Sequence, residues 1–188
     1  MSKVKAPFQA LNMAVLTVSD TRNEQTDTSG KALVDGLREA GHNLVDKKIV
    51  IDDVYKIRAH VCHWIASDDV QVVLVTGGTG FTGRDSTPEA LLPVLDKQVI
   101  GFGELFRQIS YEQIGTSTIQ SRAFAGLANG TLVFGMPGST NACKTAWYDV
   151  IKQQVDASHT PCNFVGQLKT TNVQTCGADD NSGCDTRG

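Results

Sequence analysis

Residues 72–75, Val-Val-Leu-Val, followed by Thr76 and then by glycine at 77, 78 and 80, place the strictest demand on the fold of this chain. An unbroken apolar strand has no polar face to offer solvent, so it must be covered on both sides. The glycines remove the side chains that would keep backbone N–H groups from closing on an anion. Arg84 and Asp85 follow at once. Arg84 can offset negative charge, whereas Asp85 would repel a bare phosphate and is easier to explain if a divalent cation sits between them. The stretch from Val72 to Glu89 therefore points to a nucleotide or phosphorylated ligand with Mg2+.

Two better-known motifs compete for the same glycines. Gly78, Gly80 and Gly83 spell G-x-G-x-x-G, but Pro88 delays the following helix and the carboxylate of Asp85 comes too early for a dinucleotide site. A P-loop needs Lys and then Ser or Thr after its last glycine, and Arg84 and Asp85 stand there instead. An NAD-dependent oxidoreductase is disfavoured on the same residues.

The chain of 188 residues is 40% hydrophobic, enough for one domain with a sizeable core. Its net charge is −3, without a basic run, so nothing suggests nucleic acid or an anionic membrane. The first twelve residues lack the apolar segment of a signal peptide, and no run is long enough to span a bilayer, so a cytoplasmic protein is expected. Cys62, Cys143, Cys162, Cys176 and Cys184 are scattered without a C-x-x-C, which argues for reduced thiols. His60, Cys62 and His63 invite a metal reading, but Val54, Ile57, Val61, Trp64 and Ile65 form an apolar helical stripe with His60 at its margin and His63 on the far side, so the two read as solvated histidines.

Strands and helices alternate along the chain. Residues 13–18 form a strand ending at Ser19 and Asp20, and Thr28 or Ser29 can cap the next helix, which turns Leu33, Leu37 and Ala40 inward and ends at Gly41. Residues 44–51 form a second strand, with a helix starting at Asp52 and Asp53. Pro88 suits the first turn of a short helix, and Phe102, Leu105, Phe106 and Ile109 mark the inner face of another. Residues 131–136 form a strand running into Pro137, Gly138 and Ser139, and Ser139 can cap a last helix with Cys143, Ala146, Trp147, Val150 and Ile151 on one stripe. Such alternation implies a mainly parallel sheet with helices on both faces. Ligands of such sheets bind beyond the carboxyl ends of the strands, where Ser19, Asp20, Asp52, the loop from Gly77 to Asp85 and the turn from Pro137 to Ser139 would meet.

The segments TVSD (17–20), DTSG (27–30), VTGGTG (75–80), RDSTPEA (84–90), GFGE (101–104), Ser121-Arg122 and MPGS (136–139) occur in this order in the MoaB and MogA proteins of molybdenum cofactor biosynthesis, which the chain resembles over roughly residues 11–168. The wording from Trp64 to Thr79 looks closest to the MoaB branch. The resemblance implies a single domain over 1–168 with a three-layer α/β/α, MogA-like (molybdopterin-binding) fold, assembling as homotrimers or homohexamers. Residues 169–188 have no counterpart in it and are polar, so a disordered tail is expected there.

The resemblance also implies an activity, that of a molybdopterin adenylyltransferase. Such a nucleotidyltransferase joins AMP from Mg-ATP to the terminal phosphate of molybdopterin, releases pyrophosphate, and hands its product to other proteins of molybdenum cofactor biosynthesis. By motif, Asp85 and Asp52 take the catalytic, Mg2+-holding role. Ser19, Asp20, Gly77, Gly78, Thr79, Gly80, Arg84, Ser121, Pro137, Gly138 and Ser139 would recognise phosphate and pterin. The alternative is a non-catalytic molybdopterin- or nucleotide-binding protein of the same pathway.

Overall fold

The structure, a computed structural model, describes residues 6–171. Strands β1 (Asn12–Val18), β2 (Asn43–Val50), β3 (Val72–Thr76), β4 (Lys97–Gln98), β5 (Phe124–Ala128) and β6 (Thr131–Met136) make one sheet in the order β2-β1-β3-β6-β5-β4. β2, β1, β3 and β6 run parallel, and β5 is antiparallel to both of its neighbours.

The helices are α1 (Thr28–Glu39), α2 (Val54–Ala66), α3 (Thr87–Leu91), α4 (Ile100–Ile114) and α5 (Thr140–Ala146), the last continuing through a π-helical turn at Trp147–Ile151 into α6 (Lys152–Gln154). Alternate residues of the central strands feed two separate cores. Met13, Val15, Leu74 and Phe134 pack with Leu33, Leu37, Phe106 and Trp147, which puts α1, α4 and α5 on one face. Ala14, Leu16, Val73 and Val75 pack with Ile57, Val61, Trp64 and Leu91, which puts α2 and α3 on the other. The three-layer α/β/α architecture expected from the sequence is therefore present.

Between β1 and β3 the connections reverse. The chain leaves β1 over one face through α1 to β2, then returns over the opposite face through α2 to β3. Helices diverging from two adjacent parallel strands open a crevice at their carboxyl ends.

Several local expectations need correction. The cap of α1 is Asp27, whose Oδ1 accepts from the Gly30 amide at 2.8 Å, not Thr28 or Ser29. Leu105 is 43% exposed, because α4 is rolled so that Phe102, Gly103, Phe106 and Ser110 face inward. A Cβ on Gly103 would lie 2.5 Å from the Ala123 carbonyl oxygen, so its absence is what permits that roll. Strands β4 and β5 were not expected at all. Lys169, assigned to the tail, belongs to the domain: its amide donates to the Gly130 carbonyl at 2.9 Å, and its ammonium donates to the Ile65 and Ser67 carbonyls at 2.8 and 2.7 Å, at the carboxyl end of α2. The remaining tail, with Cys176 and Cys184, lies outside the described residues. No described helix is long and apolar enough to cross a membrane.

His42 gives the fold a pH dependence. It is buried between Phe8 and Trp147, and its Nδ1 accepts from the Leu11 amide at 3.2 Å. Burial pulls its pKa from 6.5 to about 4, with the charge of Asp156 opposing weakly. The unfolded chain therefore takes up the proton first, and stability that is complete above pH 6.5 is lost as pH falls toward 4. Denaturant unfolding at pH 5 should show a cost of about 2 kcal/mol relative to pH 7.5 from this group. The pH slope should shrink by that amount in His42→Gln, and an unchanged slope would clear His42 of the role.

Candidate functional site

The carboxyl ends of β1, β3 and β6 open into a cleft of about 440 Å3, lined on one side by Val18 and Ser19, by Gly77 to Gly80 and Asp85, and by Pro137 to Ser139. Ser121 and Thr118 bring the connection between α4 and β5 to its far wall. Asp20, Asp52 and Arg84 are not among the lining residues but stand behind the glycine turn.

Backbone geometry explains the turn. Gly77 and Gly78 adopt φ of +99° and +64°, where side chains are strained. A Cβ on Gly77 would also lie 2.1 Å from the Val18 carbonyl oxygen, and one on Gly78 would lie 2.6 Å from Asp52 Oδ2. The Gly77 amide is spent on the Met136 carbonyl at 3.0 Å, whereas those of Gly78 and Thr79 have no partner among the described residues. Thr76 Oγ1 donates to the Pro137 carbonyl at 3.0 Å and Ser29 Oγ to the Gly138 carbonyl at 2.7 Å, so the two turns and the start of α1 are tied together.

The hydroxyls divide into used and unused. Ser19 Oγ accepts from the Thr21 and Arg22 amides, and Ser139 Oγ caps α5 by accepting from the Ala142 amide. Each keeps its own proton to donate. Ser121 Oγ is buried without a partner among the described residues, an arrangement that favours a polar ligand at this wall.

Asp85 is held in place by its own loop. Its Oδ2 accepts from the Thr82 amide at 2.8 Å and from Thr82 Oγ1 at 2.6 Å. Burial pushes its pKa up, but those bonds, a backbone bond from Gly80 and the charge of Arg122 outweigh it, so the carboxyl titrates below its usual range. Asp52 behaves oppositely. Its Oδ1 accepts from the Ser86 amide at 3.0 Å and from the Ser86 hydroxyl, yet burial, with the like charges of Asp85 and Asp20, raises its pKa. Its Oδ2, beside Gly78, has no partner among the described residues.

This donor set suits a divalent ion that arrives with phosphate. Among the described residues no three His, Cys, Asp or Glu side chains converge as a metal cage. Mg2+ commonly takes only one or two carboxylates and completes its shell with phosphate oxygens and water, and two mutually repelling carboxylates with one free oxygen match that chemistry.

Arg84 is placed differently from the free phosphate counter-charge read in the sequence. Its Nε and Nη2 donate to the two oxygens of Asp20 at 3.0 and 2.8 Å, and Asp20 Oδ1 also accepts from the Asp52 amide at 3.1 Å. This exposed bidentate pair joins the loop after β1 to the glycine loop. The basic group that does line the cleft is Arg22, which sequence reasoning missed along with Ser29, Gln113 and Asn141. Ser29 lies inside the DTSG segment and was within reach of motif reading. Arg22 sits in a uniformly polar loop, and Gln113 and Asn141 come from the ends of α4 and α5, so no local signal marks them.

Residues 14–157 match the profile of a family described as a probable molybdopterin binding domain. The chain belongs to this family. It is 60% identical over 169 residues to molybdenum cofactor biosynthesis protein B of Escherichia coli K12, covering 90% of this chain and 99% of that protein. A crystal structure of a molybdenum cofactor biosynthesis protein B superposes with a TM-score of 0.76 at 45% identity, covering 78% of this chain and 92% of the other. The tungsten cofactor synthesizing protein MoaB of Pyrococcus furiosus superposes at 0.71 with 39% identity, covering 80% and 94%. The shared architecture puts the cleft of this chain on a family fold rather than on an isolated loop motif.

Proposed function

We propose that this protein acts in molybdenum cofactor biosynthesis by adenylylating molybdopterin with Mg-ATP, releasing pyrophosphate. The observation that carries the reading is the meeting, in one cleft, of the Gly77 to Gly80 turn, its unspent amides and Asp85, with Asp52 packed behind the turn against Gly78. Family membership supports the pterin half.

An ionised terminal phosphate of molybdopterin is already a nucleophile, so no side chain need take a proton from it. Its oxygen forms a bond to the α-phosphorus of ATP as the bond from that phosphorus to the β-phosphate oxygen breaks. The amides of Gly78 and Thr79, with the hydroxyls of Ser19, Ser121 and Ser139, bind and orient phosphate oxygens, and Arg22 adds positive charge at the cleft. Asp52 and Asp85 would hold Mg2+, which supplies Lewis-acid neutralisation of the charge shared among the phosphates. Gln113 and Asn141, joined by a 3.0 Å hydrogen bond on the opposite wall, offer amide groups for the polar edge of the pterin.

The protein is further read as a cytoplasmic homotrimer or homohexamer. Ile100, Leu105, Ile114 and Ile119 expose 43% to 77% of their surface along α4 and the turn after it, apolar area that self-association would cover.

Incubating the purified protein with molybdopterin and Mg-ATP should yield adenylyl-molybdopterin and pyrophosphate in equal amounts. Tight binding of both ligands with no product would select the non-catalytic alternative.

A further inference from the structure

Phe81 is the one large apolar residue between Gly77 and Ser86, and it is 70% exposed. It follows Gly80, whose backbone lines the cleft, and precedes Asp85 in the same loop. Its ring is not loose. The Arg122 guanidinium lies 5.2 Å from the ring centroid. Arg122 is itself fixed: its Nε donates to the Thr79 carbonyl at 3.3 Å, its Nη2 donates to the Asp85 carbonyl at 3.0 Å, and its Nη1 is paired with Glu89. One side chain thus clamps both ends of the loop and supports the aromatic ring at its middle.

An exposed phenylalanine in a loop otherwise suited to anions contributes nothing to phosphate binding. A ring held from one side, with most of its surface open, is a stacking surface for another planar ring. The contact with Arg122 favours this ring position, so part of the ordering cost is met before a ligand covers the ring. Resting on the proposed adenylyl transfer, we propose that Phe81 is the base-stacking residue of the site, taking the purine of the nucleotide while the glycine turn takes its phosphates. The binding energy of the base would then position the triphosphate against Asp85, and a triphosphate without a base would be held less tightly.

Calorimetric titration of the full chain with Mg-ATP and, separately, with magnesium tripolyphosphate tests this. Phe81→Ala and Phe81→Leu should each weaken Mg-ATP about tenfold, the scale of one base stacked on an aromatic ring, and leave tripolyphosphate within about twofold. Phe81→Trp should bind Mg-ATP at least as tightly as the native protein. Equal losses for both ligands would make Phe81 a structural part of the loop and overturn the inference, as would an unchanged ATP affinity. A native protein that binds the two ligands equally well sinks the stacking role but leaves the phosphate cleft. One that binds neither sinks the proposed function as well.

Discussion

Asp85→Asn is expected to lower the rate of adenylyl transfer about 10^2- to 10^3-fold, the scale seen when one electrostatic contact to a transition state is removed. Asparagine is the informative replacement. Asp85 has two jobs in the structure, a charge beside the glycine turn and an acceptor for the Thr82 amide and hydroxyl. Asn keeps an oxygen for Thr82 and discards only the charge, whereas Asp85→Ala discards both and frees the loop. If the carboxylate holds Mg2+, Asn and Ala should lose comparable activity, and higher Mg2+ should partly restore Asn. Pyrophosphate release at saturating ATP and molybdopterin measures both. Native rates in Asp85→Asn with a crippled Asp85→Ala would reassign Asp85 to holding the loop.

What the sequence alone makes legible depends on whether the determining forces are local. β1, β3 and β6 are near-continuous apolar runs, and such runs are buried wherever they fall. β5 was missed because Phe-Ala-Gly-Leu-Ala has weak strand propensity. Its glycine is needed for packing: a Cβ on Gly126 would lie 2.6 Å from Leu95 and 2.7 Å from the Lys97 carbonyl oxygen. A signal for that strand did exist. Asn129 and Gly130, with φ of 47° and 69°, form the tight turn between β5 and β6, and Asn-Gly is a strong hairpin signal.

The site divides in the same way. Residues immediately following strands were found because strand ends in a parallel sheet share one edge. Arg122 was noticed only as part of a motif, since its contacts with Thr79, Asp85 and Glu89 span 33 to 43 positions. The diversion of Arg84 to Asp20 was equally invisible, because it joins loops 64 residues apart.

Asp27→Ala should lower stability by about 3 kcal/mol, the larger part from leaving Lys47 without its buried counter-charge and the rest from the lost helix cap. The Asp27 side chain is fully buried, and its Oδ2 accepts from Thr17 Oγ1 at 3.0 Å and pairs with Lys47 Nζ at 2.9 Å. Gly30 is required beside it, since a Cβ there would lie 2.2 Å from that oxygen. Lys47 is 18% exposed and keeps Glu24 at 2.9 Å, which holds the loss toward the lower end of the range for a broken buried pair. A fall in melting temperature of roughly 6–12 °C corresponds for a domain of this size. Removing the orphaned charge as well, in Asp27→Ala with Lys47→Met, should recover part of it, and a double variant less stable than Asp27→Ala would contradict the argument. The consequence reaches the cleft, because α1 carries Ser29 and the preceding loop carries Arg22. Loosening the first turn of α1 frees the Gly138 carbonyl from Ser29, so ATP affinity should fall in Asp27→Ala even at temperatures where the protein remains folded.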